Sequence, residues 1–170
     1  LSATSDYHDA LQAFEQLRAE NKLTIRVYEQ AQLPTLKALK EFINLGYCTG
    51  SGDEFFKIGP LKMLGDGSLG ARTAFLSKPY YDAPKTRGIP VFSREEIKMM
   101  FDYANRHEMQ IAIHAIGDGI LDWIFEGYEN ALKNYSREDP RHGIVHCQIT
   151  REDQLLKYQQ LHLQDRKSVV

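Results

Sequence analysis

The chain has 170 residues, the length of one ordinary domain, and its 42% hydrophobic and 26% charged residues suit a globular protein with a real core. A formal charge of −2 offers no basic field for nucleic acid or an anionic membrane surface, so neither is an expected partner. No apolar run approaches the roughly 18 residues of a membrane span, and two distant cysteines, Cys48 and Cys147, are no disulfide framework.

No signal peptide is visible at the N-terminus, and the cytoplasm is the expected location; a first residue other than Met leaves room for a missing leader. Helical spacing of Leu11, Phe14 and Leu17 predicts a helix over 5–20, capped by Asp6. The β-branched run Leu23–Tyr28 predicts a strand, and 33–45 a helix with Pro34 in its first turn and Gly46 at its end. Phe55–Leu64 reads as a strand, followed by the glycine-rich turn Gly65-Asp66-Gly67-Ser68-Leu69-Gly70 and irregular chain to about residue 92. Ser93 and Glu96 form a capping box for a helix to His107. Met109–His114 is a predicted strand, Asp118 caps a helix to Lys133, Gly143–Cys147 is a strand, and Thr150 caps a last helix. Leu161-His162-Leu163 opens one more strand. Four alternations of strand and helix imply parallel strands with crossover helices, in an open doubly wound sheet or in a section of a barrel.

Three side chains carry chemistry. His114 ends its strand, His146 lies near the end of the next, and Lys62 lies near the end of the strand before them. Ligands of parallel α/β folds bind beyond the carboxyl ends of strands, and each of these groups is costly to bury without a partner. Two neutral imidazoles from neighbouring strands can share a divalent ion. A lysine made neutral by burial can take up CO₂ as a carbamate, an anionic two-oxygen ligand. The bland alternatives are hydrogen-bonded structural histidines and a lysine that reaches to solvent. Spacing alone does not choose Lys62 over Lys57. The turn GDGSLG lacks the ending of a P-loop and reads first as a tight turn.

The wording of the motifs adds to this. LKMLGDGSLGARTAFL, IAIHAIGDGILDWIFEGYE and RHGIVHCQ resemble, in order and separation, the signatures of amidohydrolase family 3, over about residues 20–164. The resemblance implies a partial (β/α)₈ barrel, roughly strands 3 to 7 with their helices, and a metal-dependent hydrolase of non-peptide carbon–nitrogen bonds in amides, formamides or cyclic imides. It implies one or two divalent metal ions, zinc first among them, held by His114, His146 and a CO₂-derived carbamate on Lys62. Asp66, Ser68 and Arg72 fall on the loop above the site, where substrate binding is expected; Arg72 could equally anchor the loop. Val145 stands where the family has glutamate, so an orienting carboxylate is missing there.

The family's His-x-His strand and its general-base aspartate have no counterpart in this sequence, so no catalytic residue is expected within it. Residues 1–164 are therefore expected to be a barrel fragment, inactive and weakly stable alone. Residues 165–170 read as a non-native tail, matching translated sequencing-adaptor DNA. The expected partner is a small-molecule substrate, and an oligomer is possible. Two other readings stay open: a non-catalytic α/β ligand-binding domain, or a half-barrel completed by a partner chain.

Overall fold

The computed structural model describes residues 2–166. Strand and helix alternate throughout: β1 Ser2–Asp6, α1 Tyr7–Ala19, β2 Val27–Gln32, α2 Leu36–Asn44, β3 Phe56–Leu64, α3 Arg94–Arg106, β4 Ile111–Ala115, α4 Asp118–Asn134, β5 Gly143–His146, α5 Glu152–Gln160 and β6 Gln164–Arg166. All neighbouring strands pair parallel, in the order of the chain. The order never reverses, so the described sheet has no topological switch point of the kind where doubly wound sheets bind ligands. Sequential parallel strands with intervening helices are consistent with part of a (β/α)₈-like domain, and the doubly wound alternative is set aside on strand order.

One face of the sheet is closed by helices. Leu61 and Met63 of β3 and Ile111 and Ile113 of β4 are fully buried in one cluster with Ile97, Met100 and Phe101 of α3 and Leu121, Ile124 and Phe125 of α4. The Phe101 and Tyr128 rings meet at 4.4 Å across the two helices. Gly127 of α4 lets them approach, since a Cβ there would sit 2.9 Å from Ile97.

Pro60 breaks the regularity of β3. It has no N–H to give to a ladder, and the register with β2 shifts between Glu29 and Ala31, where Gly59 and Pro60 together stand opposite Gln30. The bulge changes which face each later residue takes. Phe56 and Ile58 lie on the helix-covered face before it, and Leu61 and Met63 take that face after it. Lys62 therefore lies on the opposite face, in register with Ala112, while Leu64 is in register with His114.

Element boundaries depart from expectation for identifiable reasons. Residues 2–6 form β1 and are not helical, and Asp6, the residue before α1, is the last of that strand. β2 starts four residues later than expected and continues through Glu29, Gln30 and Gln32, because β1 and β3 satisfy its backbone on both sides. Helix α2 begins after Pro34, where the Thr35 hydroxyl accepts from Ala38 N–H at 3.1 Å. The Ser93–Glu96 capping box is formed in both directions. Asp118 is the first helical residue of α4, whose cap position is Gly117, and Arg151 holds the cap position of α5. Thr150 instead donates its hydroxyl proton to the Cys147 carbonyl at 2.9 Å. Of the expected tail, Asp165 and Arg166 belong to β6 and pair with β5, and residues 167–170 lie outside the described residues. No helix among the described residues is long and apolar enough to cross a membrane.

Candidate active site

The carboxyl ends of β3, β4 and β5 bring the three expected groups together. Lys62 is buried at 8% exposure near the end of β3. Lys57, on the same face but toward the start of the strand, is exposed. The fold thus separates the two lysines that spacing could not. His114 and His146 meet edge to face, with ring centroids 4.7 Å apart and planes at 79°.

His146 reaches this contact by a departure from strand geometry. In the ladder it stands opposite Ala115, a residue of the helix-covered face. Its φ is 80°, and that of Cys147 is 45°, so the backbone leaves the strand there and the ring stands against that of His114. Positive φ at two successive non-glycine residues is strained backbone of the kind that gathers at functional sites. Burial lowers the pKa of His146, and the charges of His114 and Lys62 add to the effect while Asp66 opposes it. Its imidazole therefore stays neutral, with a lone pair, further into acid than an ordinary histidine.

The loop after β3 is locked to the turn after β4, which explains why the two motifs share glycines and aspartates. The Asp66 carboxylate accepts Phe75 N–H at 2.8 Å, Ile116 N–H at 3.0 Å and Gly117 N–H at 2.8 Å. The Phe75 carbonyl accepts Gly119 N–H and Ile120 N–H, at 3.0 and 3.1 Å, and so plugs the start of α4. Neither Gly117 nor Gly119 has room for a side chain: a Cβ would stand 2.1 Å from the Phe75 carbonyl oxygen and 2.7 Å from the Leu76 carbonyl carbon. Asp118 accepts Ser77 N–H at 2.9 Å and the Ser77 hydroxyl, and Arg151 donates to it at 3.2 Å. Burial opposes ionisation of Asp118, yet the Ser77 hydrogen bonds and the Arg151 charge outweigh it, and its pKa is lowered.

The three loop residues expected at the substrate are placed differently from one another. Asp66 is buried at 3% exposure, with both oxygens occupied by backbone N–H groups. Ser68 is exposed, and its hydroxyl accepts Ala71 N–H at 3.4 Å. Arg72 is exposed, and its guanidinium donates to Asp82 at 2.6 and 3.0 Å. Val145 is half-buried in β5, directly opposite His114 in the ladder. Among the described residues no three His, Cys, Asp or Glu side chains stand close enough to hold a metal ion by themselves. Sequence reasoning passed over the Gly67 carbonyl oxygen, which lies 2.9 Å from His114 Nε2. Its only signal is the position of Gly67, three residues after the end of β3.

Residues 2–168 match the profile of the Amidohydrolase family. YtcJ of Bacillus subtilis (strain 168), an amidohydrolase by name, is 32% identical over 150 residues, which are 88% of this chain and 26% of that protein. Protein LONG AFTER FAR-RED 3 of Arabidopsis thaliana is 33% identical over 110 residues, 65% of this chain and 19% of that one. Among solved structures, an uncharacterized metal-dependent hydrolase from Pyrococcus horikoshii OT3 superposes with a TM-score of 0.79 and 34% identity, over 97% of this chain and 31% of the other. Its counterpart from Pyrococcus furiosus gives the same TM-score at 31% identity, over 97% and 32%. The chain thus spans about a fifth to a third of the length of these relatives. The profile runs through the whole described sheet and the strand ends that carry Lys62, His114 and His146, and on that match the chain belongs to the amidohydrolase family.

Proposed function

We propose that this chain supplies part of the metal site of a hydrolase that cleaves non-peptide carbon–nitrogen bonds, in amides, formamides or cyclic imides. The observation that carries the reading is the convergence of His114 and His146, rings 4.7 Å apart, with the buried Lys62 whose charge acts on His146. The donor set fits a divalent ion on one condition. Two imidazoles are ligands as they stand, but an ammonium is not. If the Lys62 ammonium loses one proton, its amine nitrogen bonds to the carbon of CO₂ and a second proton leaves that nitrogen, the resulting carbamate is a third, anionic ligand. Three protein ligands are the usual number at a catalytic zinc.

An ion held there would polarise a substrate carbonyl and make water acidic near neutral pH. The chain's own residues prepare that site. His146 keeps a neutral ring, and Val145, opposite His114, presents an apolar side chain where the family has a carboxylate. Ser68 and Arg72 are exposed on the loop and are proposed to meet the substrate, Arg72 by exchanging Asp82 for an anionic group. Asp66 acts within the protein, since its oxygens are committed to backbone. The reading assigns no general base to this stretch of chain. Supporting it are the family match and the metal-dependent hydrolases among the structural neighbours.

Equilibrium dialysis of the purified chain against Zn²⁺, followed by metal analysis, tests the reading. Bound zinc that is lost in both His114→Ala and His146→Ala supports it. Equal zinc on the wild type and both variants would refute it.

A further inference from the structure

We propose that Asp66 is a positioning residue for His114, holding its imidazole in one orientation and one tautomer through the Gly67 carbonyl. The inference deepens the proposed metal site but stands on contacts that do not involve a metal. His114 Nε2 lies 2.9 Å from the Gly67 carbonyl oxygen. A carbonyl oxygen only accepts, so Nε2 carries a proton, and in the neutral ring Nδ1 is the nitrogen with the lone pair. Asp66 Oδ1 lies 3.4 Å from the same Nε2, a second, weaker acceptor on the same side.

What fixes the Gly67 carbonyl is the residue before it. Asp66 is pinned by three backbone N–H groups from two segments, Phe75 on its own loop and Ile116 and Gly117 immediately after β4. Gly65 N–H, on the other side, donates to the His114 carbonyl at 2.8 Å. The segment 65–67 is thereby fastened at both ends to the strand end that carries His114. Gly67 itself cannot carry a side chain, because a Cβ would stand 2.0 Å from Thr73 Oγ1. The aspartate therefore ties backbone together first, and through that backbone aims the one carbonyl that reads the histidine. A carboxylate is required because three donors converge on it; an amide would turn its NH₂ toward at least one of them.

The experiment is ¹⁵N–¹H NMR of the histidine side chains in the metal-free chain, in wild type, Asp66→Asn and Asp118→Asn. The second variant weakens the same loop-to-helix junction, through Ser77 and Arg151, without touching the acceptors of His114. In the wild type the His114 Hε2 proton is expected to be visible and to exchange with solvent slowly. In Asp66→Asn its exchange should accelerate by about tenfold or more, the factor that loss of one hydrogen bond implies; in Asp118→Asn it should stay as in the wild type. Unchanged exchange in Asp66→Asn, or equal acceleration in both variants, would overturn the proposal. If Asp66→Asn does not fold, the wild type decides: a His114 Hε2 that exchanges as fast as that of exposed His162 overturns it. Because no metal is added, a chain that shows the protected proton yet binds no zinc fails the proposed function and keeps this inference.

Discussion

His142 makes the fold acid-sensitive by an amount that the structure lets one work out. The ring is 1% exposed and stacked on Tyr128 at 5.3 Å. Its Nδ1 accepts Ile111 N–H at 3.1 Å, and Nε2 stands 3.0 Å from the Asn105 side-chain oxygen, to which it donates. Asn105 in turn donates to the Ala131 and Tyr135 carbonyls. Protonating Nδ1 would set two N–H groups against each other, in a site that water does not reach. Burial, with the nearby Arg137 charge, pushes the pKa of His142 down to about 3 from an ordinary 6.5. As pH falls below the unfolded value the unfolded chain takes up a proton that the folded chain refuses, so stability is lost between the two values. The loss is about 1.4 kcal/mol per pH unit, hence about 2 kcal/mol between pH 8 and pH 5 and about 5 kcal/mol in full. Above the unfolded pKa the group costs nothing. Urea unfolding at pH 8 and pH 5, on wild type and His142→Gln, isolates the effect, because other titrating groups are common to both. The wild type should lose about 2 kcal/mol more than the variant over that interval. Equal losses in the two proteins would show that the folded chain accommodates a protonated His142, and the reasoning from burial would be wrong.

Two further outcomes follow from contacts described above. Gly117→Ala should lower stability by about 3 kcal/mol, because its Cβ would stand 2.1 Å from a carbonyl that also caps α4; a thermal midpoint within about 2 °C of the wild type would contradict this. Zinc uptake by the wild-type chain should rise with added bicarbonate, whereas Lys62→Ala should bind weakly whatever the bicarbonate concentration, as read by dialysis; a wild type indifferent to bicarbonate removes the carbamate from the scheme.

Much of this architecture is written in local chemistry. The capping box at Ser93 and Glu96 needs only four residues to specify itself, and it is formed as expected. Strand ends that carry His114 and Lys62 are legible because a polar group on an apolar strand stands out. What escaped is non-local. β1, Ser2–Asp6, has no apolar alternation to announce it and is a strand because β2 pairs with it. β2 slides past its β-branched run because its polar residues find partners across the sheet. Asp118 and Thr150 look like caps in sequence, yet each is bonded elsewhere, to Ser77 and Arg151 and to the Cys147 carbonyl. The occupation of Asp66 depends on Phe75, 9 positions on, and Ile116 and Gly117, 50 and 51 positions on, meeting at one carboxylate, which no spacing rule encodes.

The bulge at Gly59 and Pro60 and the reversed φ at His146 act alike: each moves one side chain from the parity its strand would assign to the other face. Two of the three clustered groups therefore owe their place to an odd step in the backbone, and only His114 follows from plain alternation. β3 is in effect a counted strand. Residues can be gained or lost between its start and Lys62 only in pairs, since any odd change would carry an ammonium into the apolar layer beneath the helices and leave the histidines facing an empty position. The number of residues in that segment is thus more tightly constrained than the identity of any one apolar side chain in it.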